Sequence, residues 1–220
     1  DTKPYGIQFL MEEMVKGTVV TYDAIIDANG HPIFESGNVT LDSLMDVVNE
    51  NKESLYYLHK DVPAEIRDAG LRTVAAFEVK SRFVHLEFFR LNEDQEGLGK
   101  KGQIMALEVN MRPCGGFTPD MINFAHSTNV YKIWADMIAF DKTDLAQGEH
   151  FYCAFAGLRD GKEFKFSHDD IMAKYGNNMK MVGRIPAALA EAMADKMYMA
   201  NFSTKEEMDQ FYADVLEPKA

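Results

Sequence analysis

The sequences FVHLEFFRL at residues 83–91 and QIMALEVNMRPCGG at residues 103–116 decide the fold. Each is an apolar run with one carboxylate inside it, Glu87 in the first and Glu108 in the second. Because successive strand side chains point to opposite faces, Glu108 and Asn110 share one face of the second run. If the two runs pair as antiparallel strands, we expect Glu87, Glu108 and Asn110 to converge on one point.

These three side chains form an all-oxygen donor set. Two carboxylates and an amide suit a hard cation such as Mg²⁺ or Mn²⁺, with phosphate oxygens and water completing the shell. The alternative is that both carboxylates are ordinary solvated surface residues. The metal site is favoured because each charge lies inside a strongly apolar run, where it needs a partner.

Arg112 and a glycine turn follow the second carboxylate. Arg112 occupies the next alternate position, which places it to grip an anionic substrate group. The glycines at Gly115 and Gly116 let backbone N–H groups approach a ligand closely. A helix is predicted to open near Asp120, and its N-terminus at this turn favours an anion.

The sequences HLEFF at residues 85–89 and LEVNMRPCGG at residues 107–116 resemble the C-terminal part of ATP-grasp ligases. The resemblance covers roughly residues 7–140 and is closer to the carboxylate–amine and amino-acid ligases than to biotin carboxylase. It implies a Mg²⁺ site between the ATP phosphates, next to an arginine and glycines that face the transferring phosphoryl group and the carboxylate substrate. The implied metal ligands are Glu87, Glu108 and Asn110, the implied catalytic residue is Arg112, and the implied phosphate-facing glycines are Gly115 and Gly116.

The apolar run at residues 7–15 precedes Gly17. The resemblance implies that this run is the hinge where adenine rests on backbone atoms, between the two lobes that clasp ATP. The implied adenine contacts are Met11, Glu12, Glu13, Met14 and Val15. Two residues after the glycine, where the family commonly has glutamate, this chain has Val19. From the residues alone, an edge strand with two solvated glutamates fits this run equally well.

Periodicity and turn signals predict the elements that surround these strands. A β-branched run at residues 18–27, an Asn-Gly turn and a return at residues 31–37 predict a hairpin. Residues 38–62 are mixed and polar, with only a short helical period. Residues 63–80 have a helical period and lead directly into the strand that carries Glu87.

The polar insert after the first strand contains a literal G-x-G-x-x-G at Gly97, Gly99 and Gly102. We reject a dinucleotide site, because that motif lies between a strand and a helix, whereas this one lies between two strands. We predict a flexible hairpin loop instead. Residues 119–140 predict an amphipathic helix broken near residue 127, with His126 on its surface.

Beyond residue 145 the pattern changes to strands and helices joined by polar turns. A strand at residues 150–159 with a return at residues 162–167, a capped short helix and a last helix capped by Ser203 suggest a small unit. The prediction is therefore an α+β chain with two parts. Residues 1–145 form an ATP-grasp C-terminal subdomain, an antiparallel sheet flanked by helices, and residues 146–220 form a small α+β appendage.

Composition narrows the classes of partner and compartment. The formal net charge of −12 in 220 residues disfavours a nucleic-acid surface, which needs a basic stripe. The two cysteines, Cys114 and Cys153, form no CxxC, so we expect a reducing, cytoplasmic setting. The sequence contains no apolar run of 18 residues and no lipidation signal, so we expect no membrane partner. The chain does not begin with methionine, so we expect a piece of a longer protein.

The resemblance implies an ATP-dependent ligase that joins a small-molecule carboxylate to an amine through an acyl phosphate. Its implied cofactors are ATP and Mg²⁺ or Mn²⁺. The sequence does not set the oligomeric state, and a homodimer is one possibility. The lysines and glycine-rich loop that hold phosphate in the family lie upstream of the hinge, so we expect the isolated chain to turn over poorly. The alternatives are a non-catalytic nucleotide-binding or regulatory module, and a structural domain whose acidic strands are merely solvated.

Overall fold

The computed structural model describes residues 11–219. Within that range nine strands form one antiparallel sheet in the order β6-β5-β1-β3-β4-β7-β9-β8, and β2 pairs with β1. The strands are β1 Gly17–Ile26, β2 Pro32–Ser36, β3 Asn38–Thr40, β4 Ser54–Leu58, β5 Arg82–Leu91, β6 Ile104–Asn110, β7 Tyr152–Leu158, β8 Met179–Arg184 and β9 Lys196–Phe202. The predicted antiparallel α+β fold is therefore confirmed.

Helices cover both faces of this sheet. They are α1 Leu44–Asn49, α2 Ala64–Ala76, α3 Thr118–His126, α4 Val130–Phe140, α5 His168–Tyr175, α6 Ala187–Met193 and α7 Lys205–Leu216. No helix in residues 11–219 is both long enough and apolar enough to cross a membrane.

Strand alternation separates two apolar cores. On β1, the side chains of Val20, Tyr22, Ala24 and Ile26 are fully buried in the core that α2, α5 and α7 complete. On the opposite face, Ile25 packs with side chains of α3 and α4, including Met121 and Ile133. The helices α3 and α4 cover only part of this second face, and polar residues of β1 and β5 line a cleft on it.

The helix after the glycine turn breaks where the sequence predicts. Pro119 lies in the first turn of α3, where its missing N–H costs no hydrogen bond. Ser127 has a left-handed φ of 44° and ends α3, and the Asn129 side chain caps α4 by accepting from Lys132 N. His126 lies at the end of α3 and is only 2% exposed, so its predicted surface position is wrong.

The described part of the chain contains two strands that the sequence did not predict, and it lacks one strand that was predicted. β3 and β4 lie in the polar stretch at residues 38–62, and β4 forms because it pairs with β7. The predicted return strand at residues 162–167 is wrong, because Phe164 makes only an isolated bridge with Pro218. β7 pairs instead with β4 and β9. The last helix is capped by Thr204 and Glu207, one residue later than expected.

The sheet is continuous across the proposed domain boundary at residue 145. β4 belongs to the first part and β7 to the second, and they pair from Ser54 with Gly157 to Leu58 with Cys153. The division into a subdomain and an appendage stays a prediction. Any separate function of residues 146–220 must act through strands shared with the rest of the sheet.

Candidate functional site

A cleft of about 1100 Å³ lies on the second face of the sheet. Polar side chains of β1 and β5, Thr21 and Glu87 among them, lie along its floor, and residues 12–17 border it on one side. Side chains of α1 and α6 line it as well, and so does the turn that precedes α3. The cleft therefore combines segments that are far apart in the sequence.

The register of β5 and β6 brings the two predicted carboxylates together. Glu87 lies directly opposite Glu108, and His85 lies directly opposite Asn110. Residues directly opposite in an antiparallel pair point to the same face, with Cβ atoms about 4.5–5.5 Å apart. The register shifts by one residue immediately beyond Glu87, so the pairing of the two carboxylates lies at the edge of a bulge.

Arg112 is not part of the strand. β6 ends at Asn110, so strand alternation does not fix the face on which Arg112 lies. Its side chain is exposed, and its guanidinium donates to the carbonyl of Pro113 at 2.9 Å. Within residues 11–219 its guanidinium forms no salt bridge with a carboxylate.

The cleft wall contains some of the predicted site residues and not others. Those that line it are Glu12, Glu13, Met14, Val15, Glu87, Gly115 and Gly116. Those that do not are Met11, Glu108, Asn110 and Arg112. Met11 is 96% exposed. The sequence prediction therefore finds one border of the cleft and part of its floor.

A hydrogen-bond chain that the sequence analysis missed lies beneath Glu87. His85 Nδ1 is 2.7 Å from Asp23 Oδ1, and His85 Nε2 is 3.0 Å from Glu87 Oε1. Thr21 Oγ1 donates to Asp23 Oδ2 at 2.6 Å and accepts from Asn38 N at 3.0 Å. Asp23 is only 1% exposed. An aspartate in an apolar, β-branched strand was the available signal, since such a charge needs a partner.

His85 carries a positive charge at neutral pH. Burial alone would lower the pKa of His85, but the charges and hydrogen bonds of Asp23 and Glu87 outweigh burial and raise it to about 10. Burial, with a contribution from Asp23, holds the pKa of the Cys114 thiol well above its usual range. Cys114 is therefore a protonated thiol at the cleft wall and not a nucleophile.

Most of the charged side chains that line the cleft are acidic. Its carboxylates are Glu12, Glu13, Asp42, Asp46 and Glu87, and its basic side chains in the described range are Lys16 and His85. Both basic groups already have partners, because Lys16 pairs with Glu93 at 2.7 Å and His85 bridges two carboxylates. A polyphosphate would need additional positive charge to bind here.

The donor set on β5 and β6 fits a cation that takes its remaining ligands from phosphate and water. Within residues 11–219 no group of three or more histidine, cysteine, aspartate or glutamate side chains could hold a metal by itself. The amide nitrogen of Asn110 is buried and has no hydrogen-bond partner among the described residues, and the amide oxygen is the atom of this side chain that could bind a cation. Glu87 uses Oε1 to accept from His85, which leaves Oε2 for a ligand.

Comparison with solved structures identifies the fold. The phosphoribosylaminoimidazole carboxylase ATPase subunit from Aquifex aeolicus matches with a TM-score of 0.62 at 15% identity, over 93% of this chain and 60% of that chain. The L-amino acid ligase from Bacillus licheniformis matches with a TM-score of 0.62 at 13% identity, over 92% and 51%. This chain has the ATP-grasp fold.

A third ATP-grasp match is an ADP complex of N5-carboxyaminoimidazole ribonucleotide synthetase, with a TM-score of 0.54 at 15% identity, over 91% of this chain and 49% of that chain. No protein-family model and no curated protein matches the sequence. The chain spans about half to three-fifths of the length of these three matched structures. At these identities the comparisons show the fold alone.

Proposed function

We propose that this chain is part of an ATP-dependent ligase that converts a carboxylate to an acyl phosphate and transfers the acyl group to an amine. The observation that carries the proposal is the cross-strand pair of Glu87 and Glu108 beside a large cleft in an ATP-grasp fold. Structural neighbours include an L-amino acid ligase and a phosphoribosylglycinamide synthetase, which supports this general chemistry.

The nucleotide would lie between residues 12–17 and the glycine turn. The backbone from Met11 to Val15 is proposed to contact adenine, and four of these five residues line the cleft. The amides of Gly115 and Gly116 precede α3, and the N-terminus of a helix attracts phosphate. Gly116 has a left-handed φ of 59°, and an added Cβ would lie 3.0 Å from Met193 Sδ, so this position favours glycine.

Glu87, Glu108 and Asn110 are proposed to hold Mg²⁺ or Mn²⁺. When bound, such a cation neutralises phosphate charge and polarises the transferred group. The acidic wall explains why this charge is needed, because Lys16 and His85 are already paired. Arg112 has no carboxylate partner in residues 11–219, so it is proposed to bind the substrate carboxylate or the phosphoryl oxygens.

The reaction needs no nucleophile from the protein. A carboxylate oxygen of the substrate attacks the γ-phosphorus, the bond from that phosphorus to the β–γ bridging oxygen breaks, and ADP leaves. The amine nitrogen then attacks the acyl carbon, the carbon–oxygen bond to phosphate breaks, and the nitrogen releases a proton to solvent. Positioning and charge neutralisation carry such chemistry, which agrees with a cleft whose only thiol is held protonated.

Binding of Mg²⁺–ATP measured by isothermal titration calorimetry tests the proposal. We expect Glu108→Gln to weaken binding roughly 10- to 100-fold, because it removes one anionic ligand from the cation. Glu96→Gln is the matched control, since Glu96 is exposed in the loop after β5 and loses the same charge. Equal affinities of the two variants and the native chain would contradict the proposed site.

A non-catalytic nucleotide-binding module is the second candidate. Val19 favours it, because this cleft-lining position commonly carries glutamate in the family. Phosphate release by the longer protein separates the two functions. Release that depends on both a carboxylate and an amine supports the ligase, and nucleotide binding without release on a broad panel of such substrates supports the module.

A further inference from the structure

Polar residues of β1 and β5 form a short island between apolar pairs on the cleft side of these two strands. In the β1–β5 register Val19 lies opposite Phe89 at one end, and Ile25 lies opposite Phe83 at the other. Between these apolar pairs lie Thr21 opposite Glu87 and Asp23 opposite His85. Three residues of the island, Thr21, His85 and Glu87, line the cleft. The island is therefore part of the candidate site, because Glu87 belongs to both.

We propose that His85, anchored by Asp23, is a positioning residue that fixes the orientation of the Glu87 carboxylate toward a cation in the cleft. The inference rests on the proposed function, since it assigns Glu87 as a metal ligand. His85 itself does not touch the cation or the substrate in this arrangement. It acts only through Glu87.

The hydrogen bonds fix the imidazole ring at both ends. A carboxylate only accepts, so the contacts at 2.7 Å from Nδ1 to Asp23 and at 3.0 Å from Nε2 to Glu87 both need an N–H of the ring. Asp23 is held in turn by Thr21 Oγ1 at 2.6 Å. The result is a rigid tether from β1 to one oxygen of Glu87, which leaves the other oxygen available.

Stability alone does not account for this arrangement. Burying the charge of Asp23, which is 1% exposed, carries a desolvation cost that hydrogen bonds only offset. An apolar pair of similar size, like Val19 with Phe89 on the same face, would avoid that cost. Hydrogen-bond partners of metal ligands are known to matter for affinity, and their loss typically weakens metal binding about 10- to 100-fold.

Two substitutions at His85 separate positioning from stability. In His85→Gln the side-chain amide nitrogen replaces Nε2, which keeps the bond to Glu87 and loses the bond to Asp23. In His85→Asn the amide nitrogen replaces Nδ1, which keeps the bond to Asp23 and loses the bond to Glu87. Mn²⁺ affinity in the presence of ADP is measured by electron paramagnetic resonance, and the melting temperature is measured without Mn²⁺.

The expected result is that the two measurements rank the variants in opposite order. We expect His85→Asn to weaken Mn²⁺ binding about tenfold or more and His85→Gln to stay within about threefold of the native chain. The melting temperature of His85→Asn should be the higher of the two, since Asp23 keeps its buried partner. Affinities that follow the melting temperatures, or that rise in His85→Asn, would overturn the inference.

A third variant guards against misfolding, and a further comparison separates this inference from the proposed function. Asp23→Asn can still accept from His85, so it should keep Mn²⁺ affinity within about threefold if the hydrogen bond is what counts. A tenfold loss in that variant would overturn a positioning role.

If the native chain binds Mn²⁺ and Glu108→Gln weakens it, while both His85 variants bind normally, only the inference fails. If Glu108→Gln also has no effect, the proposed function fails.

Discussion

His126, which is buried, and His85, which is partly buried, have opposite electrostatic surroundings. His85 lies between two carboxylates, which raise its pKa to about 10. His126 Nε2 instead lies 3.0 Å from the Ser36 hydroxyl, and burial together with the nearby His150 lowers the pKa of His126 to about 4. Burial lowers the pKa of both histidines, and only at His85 do neighbouring carboxylates outweigh it.

The lowered pKa of His126 predicts part of the acid sensitivity of the chain. Its folded pKa of about 4 lies below the ordinary value of 6.5, so its contribution to stability is fully present above pH 6.5 and is lost as pH falls toward 4. His126→Gln keeps a donor for Ser36 and cannot titrate. Between pH 7 and pH 5 we expect the native chain to lose about 2 kcal/mol more than His126→Gln in urea unfolding. Parallel losses in both proteins would contradict this assignment.

The residues of the candidate site were predictable to different degrees. Glu87 and Glu108 could be recognised because each interrupts an apolar strand, and the β5–β6 register then places them on one face. Asp23 interrupts β1 in the same way, but its meaning depends on a register with His85 that no local pattern gives. Met193 contacts the glycine turn from a helix far along the chain, and no spacing in the sequence indicates that contact.

At the scale of elements, the size of the side chains between the sheet and a helix determines how closely the two can pack. Gly70 on α2 lies against the ring of Tyr22 on β1, and a Cβ at Gly70 would come within 2.3 Å of ring atoms. Tyr22 is fully buried, so its ring has no free space into which to move. This close approach of α2 to the sheet needs glycine, although glycine is a poor helix former.

Gly70→Ala is therefore expected to destabilise the chain by about 1–3 kcal/mol, because overpacking outweighs the gain in helix propensity. The measurement is the free energy of unfolding in urea. Gly183→Ala is the control, since a Cβ at Gly183 on β8 meets nothing within 4 Å. A stability of Gly70→Ala equal to or above that of the native chain would show that α2 packs differently.

The strands that could be predicted are those with strong local patterns. β1, β5 and β6 have apolar or β-branched runs, whereas β4 has the sequence SLYYL inside a polar stretch. Its side chains still alternate, with Tyr57 in the core under α2 and α7 and Tyr56 toward the cleft. β4 forms because β3 and β7 flank it, and that long-range pairing is invisible in a local pattern.

At the scale of the whole molecule, the chain has an acidic cleft and a formal net charge of −12. It spans 60% of one matched structure and 51% of another. The cleft has few positive groups of its own, so phosphate binding would depend on a cation and on groups from outside the described residues.

We therefore predict poor turnover by the 220-residue chain alone. An ATP-hydrolysis assay, with and without a panel of amino acids, should show little phosphate release above a Glu108→Gln control. The physical reason is that Lys16 and His85, the basic groups of the cleft, are already paired. Robust turnover that Glu108→Gln abolishes would show that the chain already contains a complete site.

The central claim is that Glu87 and Glu108 share one cation beside the cleft. Crystals of the chain grown with Mn²⁺ and ADP would test it directly through an anomalous difference map. The account predicts a manganese peak about 2.0–2.3 Å from a carboxylate oxygen of each residue, next to the nucleotide phosphates. Ordered ADP in the cleft with manganese bound elsewhere, or with no manganese peak at these two carboxylates, would contradict it.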